Sequence, residues 1–270
     1  MNANAARPAA VSHVRQVTSW LTAVLLLGMA LLAGCGAGNP HPGGSFERAQ
    51  FFMEKEKNLE AVAAFEAFVR NNPTDSLAAE AQYLKSMLYL DMEEYPLAAV
   101  EFQILRKDFP TSDRIEDSFF QEGVAYFRQV GHVQRDMTGA HEARLHFLKF
   151  SQEFPSSPYM DQVRDYMQQI SDLMVAKRLK QAHVFWQLKR YAAVDMTLTT
   201  ALEDEGGSTL LDEVLWQLGR VAEKLDDPDK AARMYERLIT GYPESRFYKR
   251  AQAALRALDE DEAMEEDEES

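Results

Sequence analysis

Few residues in this 270-residue chain are of a type and spacing that could do chemistry. Cys35 is its single thiol, so no disulfide can form within the chain. His132, His141 and His146 lie close together, but they lack nearby cysteine and the regular pairing that tetrahedral zinc ligation uses. They read as polar helix positions, and the many Asp and Glu residues as solvated helix faces. No GxSxG, Walker or HExxH string occurs. The expectation is a protein without enzymatic activity, with no catalytic residues and no metal ligands.

The position of Cys35 is what carries meaning. Residues 1–20 hold Arg7 and Arg15 and no acid, and an apolar run from Leu21 to Leu32 follows. That run has the length of a signal-peptide core and is short for a membrane span. Ala33 and Gly34 suit the narrow site of a signal peptidase, and Leu32-Ala33-Gly34-Cys35 resembles the lipobox of bacterial lipoproteins. The resemblance implies that residues 1–34 are a removed signal peptide and that Cys35 takes a covalent diacylglycerol and an N-acyl chain. No other cofactor is expected. Each buried methylene contributes roughly 0.8 kcal/mol, so two or three acyl chains hold a domain on a membrane where one would not. Gly36 in place of Asp implies release to the outer membrane, with the domain facing the periplasm. Residues 35–45, rich in Gly and Pro, read as a flexible tether, and the fold is expected to begin at Phe46.

The body behind this anchor has the composition of helices. Hydrophobic residues make up 46% of the chain, enough for a core, and Gly and Pro number only 13 and 10. The net charge of -14 becomes about -16 once the two leader arginines are gone. Phosphate neutralisation needs a basic face, so nucleic acid is not expected as a partner. Nine of the acids lie between Asp259 and Glu269, a stretch without Lys or Arg, so residues 259–270 read as a disordered acidic tail.

Short breaks recur after the apolar helical stretches: Asn72-Pro73-Thr74, Phe109-Pro110-Thr111-Ser112, Phe154-Pro155-Ser156-Ser157 and Tyr242-Pro243-Glu244-Ser245. Counting Pro110 as position 32 of a 34-residue repeat puts Phe102 at 24, Ala98 at 20 and Tyr89 at 11. Pro73 places Phe65 and Ala61 in the same phase, Pro155 places Phe147 and Ala143, and Pro243 places Tyr235, Ala231 and Gly219. The small residues let paired helices approach, the aromatic fills the gap beside them, and Pro ends the second helix. This resembles tetratricopeptide repeats. The fold class is therefore all-α: a tetratricopeptide-repeat solenoid over 46–258, of about five helix-turn-helix units with a C-terminal capping helix. The units are Phe46 to Asn72, Asp75 to Phe109, Asp113 to Phe154, Ser157 to Glu205 and Thr209 to Tyr242, with the cap from Ser245 to Leu258. Asp113-Arg114-Ile115-Glu116 is expected to form a capping box, and Ser157-Pro158 an N-cap with Pro in first helical position. The fourth unit departs most, with Glu203-Asp204-Glu205-Gly206-Gly207 where a Tyr-Pro break would stand.

The third unit carries about eight extra residues between Tyr126 and Ala143, among them Arg135-Asp136. This insertion, followed by Phe147, Phe150 and the run to Tyr159, resembles the BamD family of lipoproteins, from the machinery that assembles β-barrels in the outer membrane. Phe185 and Trp186 look like that family's aromatic pair in unit four; Thr197 stands about where the family tends to carry an Arg associated with docking. The resemblance implies an outer membrane scaffold in which repeats one to three offer a groove to unfolded outer membrane proteins. Units four and five would dock on a BamA-like barrel assembly subunit. Arg135, Asp136, Phe185, Trp186 and Thr197 are the candidate contacts. An ion pair that only fixes the insertion accounts equally well for Arg135 and Asp136. Phe185 and Trp186 are adjacent, so they are not expected to face one side of a helix together. The alternative function is a repeat lipoprotein that organises peptidoglycan synthesis, division or polysaccharide export.

Overall fold

The computed structural model describes residues 39–130 and 137–268, with the side chains of 261–268 set aside. Leu32, Ala33, Gly34 and Cys35, with Arg135, Asp136 and His132, lie outside the described residues. What is described is helical: α1 (Phe46–Glu54), α2 (Asn58–Asn71), α3 (Ala78–Asp91), α4 (Tyr95–Asp108), α5 (Ile115–Gln129), α6 (Thr138–Glu153), α7 (Met160–Gln187), α8 (Tyr191–Asp204), α9 (Leu211–Lys224), α10 (Pro228–Gly241) and α11 (Tyr248–Glu268). They form five helix pairs and a final helix, within the boundaries that the proline breaks mark. The chain divides into two compact bodies, one reaching Ala81 and one beginning at Gln82.

In the first body, α1 and α2 pack through Phe46, which meets Phe65 and Phe68 edge-on with centroids 5.6 Å apart in both cases. Residues 39–45 are fastened to this pair, and so are not part of the expected flexible tether. The Asn39 Nδ2 donates to the Arg48 carbonyl at 3.0 Å, and the Arg48 guanidinium returns a bond to the His41 carbonyl at 3.1 Å. Ser45 Oγ accepts from the Arg48 amide at 3.2 Å as a helix N-cap. Gly44 holds φ +77° beside the Asn71 amide, a place where a Cβ would stand 2.9 Å from Nδ2. Gly and Pro content suggested a loose segment; side-chain to backbone bonds, which composition does not report, hold it.

In the second body, successive helices from α4 to α11 pack in chain order, as stacked repeats do. The small residues do what the repeat phase demands. A Cβ on Gly123 would sit 2.6 Å from the Phe147 ring, and one on Gly219 would overlap the Tyr235 ring. Phe102, Phe147 and Tyr235 are all fully buried.

The turns are built alike. Between the helices of a pair, Glu56, Glu93, Lys189 and Asp226 take left-handed φ of 55°, 62°, 56° and 62°. The amide that follows each of them donates back to Phe52, Tyr89, Phe185 or Ala222. Between pairs, the amides of Asp75, Ser112, Ser157, Ser208 and Ser245 donate to the carbonyls of Asn72, Phe109, Phe154, Glu205 and Tyr242. The side chains of the same five residues accept from the amide two positions on, as in the 2.8 Å bond of Asp75 and the 3.1 Å bond of Ser112. Glu205-Gly206-Gly207-Ser208 is thus a regular inter-repeat turn in which Glu replaces the aromatic and Gly replaces Pro. The expected capping box is absent, because Ser112, one residue earlier, takes the Arg114 amide. Ser157 likewise caps through the Tyr159 amide, and α7 starts at Met160, two residues beyond Pro158.

The length of the fourth unit lies in α7, a single helix of 28 residues. Its first half contributes Val163, Ile170 and Met174 to the core of the third repeat, with Phe119, Phe147 and Phe150. Its second half contributes Val175 and Ala182 to the core of the last two repeats, with Leu198, Leu215 and Tyr235. At 1.5 Å per residue it is about 42 Å long. The helix α11 also runs further than expected: its backbone continues through the acidic stretch to Glu268, where disorder was anticipated from Asp259. Glu, Ala and Met favour helix, and this local preference extends the turn pattern beyond the last packed residues.

Candidate functional site

The insertion of the third repeat is anchored at both ends by burial. Val130 and Met137, on either side of residues 131–136, are buried. At Gly139 a Cβ would stand 3.0 Å from the Tyr126 carbonyl. Beneath this region lies a polar network. The buried Glu122 accepts from Gln103 at 2.7 Å, from the Tyr126 hydroxyl at 2.9 Å and from Arg106. His146 donates through Nε2 to the Phe119 carbonyl at 2.7 Å, and its ring lies 4.4 Å from that of Phe119. Burial lowers the His146 pKa from its ordinary value against the opposing pull of Glu122, and burial with Glu122 raises that of Tyr126. His146 is therefore a member of a packed network, whereas His141 is exposed as expected. Among the described residues no cluster of three or more potential metal ligands forms.

Phe185 and Trp186 are both half-buried against the core of the last two repeats, although adjacent residues were expected to diverge. Their helix packs against α8, and the Arg220 side chain of α9 reaches Trp186 from beyond it. Phe185 supplies the carbonyl that closes the α7–α8 turn by accepting from the Arg190 amide at 2.9 Å. Trp186 meets Tyr191 edge-on at 5.3 Å, and the Arg220 guanidinium lies over its indole at 4.6 Å. Thr197 is only 7% exposed and its hydroxyl donates to the Ala193 carbonyl at 2.7 Å. Its hydroxyl is satisfied within α8, so Thr197 presents no polar group to a partner. The residue that does project beside it is Met196, 69% exposed.

Met196 has counterparts. Val100 and Leu145 occupy the same repeat position, ten residues before Pro110 and Pro155 as Met196 is before Gly206, and they are 50% and 69% exposed. Leu97 and Leu148 add to the exposed apolar area on α4 and α6. Three successive second helices thus carry a large apolar side chain outward at one register. The fourth turn found its reach in space as well: Arg144 of α6 holds the buried Glu205 carboxylate with both terminal nitrogens. Sequence reasoning passed over Val100, Leu145, Met196, Arg144 and Arg220. The first three share one outward position of the repeat, in phase with the inward ones, and that phase is their sequence signal; Arg144–Glu205 spans 61 residues and leaves no local signal.

No described helix is long and apolar enough to cross a membrane. An outer membrane lipoprotein family, YfiO, matches residues 41–204, and a tetratricopeptide repeat family matches residues 213–245. The outer membrane protein assembly factor BamD of Neisseria gonorrhoeae is 21% identical over 212 residues, covering 75% of this chain and 79% of that protein. BamD of Neisseria meningitidis serogroup B is 22% identical over 214 residues, covering 76% and 80%. Among solved structures, a thermophilic tetratricopeptide protein of Thermus thermophilus covers 77% of this chain and 95% of its own at 18% identity and a TM-score of 0.31.

Proposed function

The chain belongs to the YfiO family of outer membrane lipoproteins, and from this premise we propose that it is a non-catalytic scaffold of the β-barrel assembly machinery. The family match over residues 41–204 carries the reading, since it takes in the first four repeats and the insertion of the third. The relatives named as assembly factor BamD support the same role. In this reading Cys35 bears the lipid that holds the protein on the outer membrane, facing the periplasm. The repeats bind unfolded segments of outer membrane proteins and dock on a BamA-like barrel subunit. Arg135 and Asp136 shape the client-binding side of the third repeat. Packed helix pairs offer rigid, preorganised surfaces, which lowers the ordering cost of holding an extended chain. The outward register of Val100, Leu145 and Met196 supports a docking role for the second helices, and Thr197 belongs to the core behind it.

The test is recovery of the lipidated protein from its native outer membrane in mild detergent, with identification of what comes with it. The barrel-forming assembly subunit is the expected companion. Recovery with cell-wall synthesis, division or polysaccharide export proteins, and without that subunit, overturns the proposal in favour of a scaffold for those processes.

A further inference from the structure

A cleft of about 610 Å³ opens between α7 and α9 in the second body. Its volume is in the range of ligand pockets. The floor is apolar, with Ala182, Val194 and Leu198 almost wholly buried. The rim is cationic. Arg220 on α9 and Lys180 on α7 both line it, and among the described residues neither has a carboxylate partner. The acid on the rim, Glu213, is already engaged by Arg246 at 2.6 Å.

Arg220 differs from the other half-buried arginines of this body. Arg106 is paired with Glu122, Arg144 with Glu205 and Arg178 with Asp204. Arg220 instead lies over the Trp186 indole at 4.6 Å and near the Trp216 ring at 6.0 Å, with a 3.5 Å contact to Gln217 Oε1. Stacking on an indole fixes the guanidinium plane and leaves its edge N–H groups able to grip a carboxylate with two parallel bonds. The Trp186 ring is itself held by Tyr191. The cation is therefore positioned before any ligand arrives, at the mouth of an apolar recess.

We propose that this cleft binds a peptide segment in which an acidic residue adjoins a bulky apolar one, the carboxylate meeting Arg220 and Lys180 and the apolar side chain entering over Val194 and Leu198. The charge of the rim is opposite to that of the chain as a whole, which carries -14. The site selects an anionic partner from within an acidic protein, and electrostatic complementarity of this kind sets partner choice. A small inorganic anion would leave the apolar floor wet, and a neutral apolar segment would leave both cations unanswered. The assignment goes beyond the scaffold function and does not depend on which envelope complex the chain serves.

The probe is an acetylated, amidated nonapeptide with a central Asp-Phe pair, compared with peptides carrying Lys-Phe or Asp-Ala at those positions. It is titrated into the full mature chain while the indole N–H resonance of Trp186 is followed by NMR. The Asp-Phe peptide should shift that resonance saturably and bind at least about tenfold more tightly than either comparison peptide. Arg220→Gln should abolish the preference for Asp over Lys, and Lys180→Glu, at an exposed position, should weaken Asp-Phe binding with the fold intact. No shift at Trp186, equal affinity for the three peptides, or unchanged discrimination in either variant overturns the assignment. Peptide binding without recovery of the barrel subunit would leave this site standing and remove the scaffold reading; the converse result would do the reverse.

Discussion

Arg144 in α6 grips Glu205 at the end of α8 through two hydrogen bonds, of 3.0 Å from one terminal nitrogen and 2.6 Å from the other. Glu205 is 4% exposed and stands where the other inter-repeat turns of this body carry an aromatic residue, so the pair fills a hydrophobic position with a bonded charge. Removing one partner strands the other. Arg144→Met should cost about 3 kcal/mol of unfolding free energy. The double variant with Glu205→Tyr, which restores the aromatic seen at Phe109, Phe154 and Tyr242, should recover most of it. Urea denaturation of both proteins measures the difference; a single variant as stable as the parent would dismiss the pair as incidental.

The close approach of α9 and α10 makes a sharper steric prediction. Gly219→Ala puts a methyl into the Tyr235 ring and should destabilise by about 2 kcal/mol. Gly241→Ala, which meets nothing within 4 Å near the end of α10, should be neutral or slightly stabilising because Ala is the better helix former. Thermal unfolding of the two variants side by side decides it, and equal effects would contradict the packing.

Acidification should weaken the third repeat through His146. Its folded pKa lies below the ordinary 6.5, so below about pH 6.5 the unfolded chain binds the extra proton and stability falls with pH. Above that pH the contribution is fully present. His146→Gln should reduce the loss of melting temperature between pH 7.5 and 5.5, and an imidazole titration in the folded protein should show a midpoint under 6.5. A midpoint above 6.5 would reverse the sign.

Leu145→Lys and Met196→Lys alter side chains that are 69% exposed, so each should leave stability within about 0.5 kcal/mol. Together they should lower the yield of co-purified envelope partner several-fold. Thr197→Val, made behind the same surface, should leave that yield unchanged. Undiminished recovery from the double lysine variant would show that this register is not a contact face.

Much of the helical scheme was legible because proline leaves a local trace. Pro73, Pro110, Pro155 and Pro243 each end a helix, and the aromatic and small residues in phase with them are in the core. The fourth turn hid because its geometry comes from backbone bonds and Ser208, which the neighbouring turns share, while Glu205 and Gly206 replace the residues that would have announced it. The doubled length of α7 shows in the sequence only as a long fourth unit, since an uninterrupted amphipathic stretch does not say when it changes its packing partner. Thr197 was placed by position along the chain, and its burial depends on which way α8 turns against α7. The cleft was invisible for the same reason: Trp186, Val194 and Arg220 come from three helices, and only folding makes them one wall.

Because α7 serves two cores without a break, it fixes a rotational phase between them. One residue inserted near Met174 would turn everything beyond it by about 100° and shift it about 1.5 Å, carrying Val175 and Ala182 away from Leu198. Seven inserted residues would return the second half to within about 20° of its original face. The rotation is restored but the advance along the axis is not, and the Arg144–Glu205 pair, whose partners lie on opposite sides of the insertion point, would part.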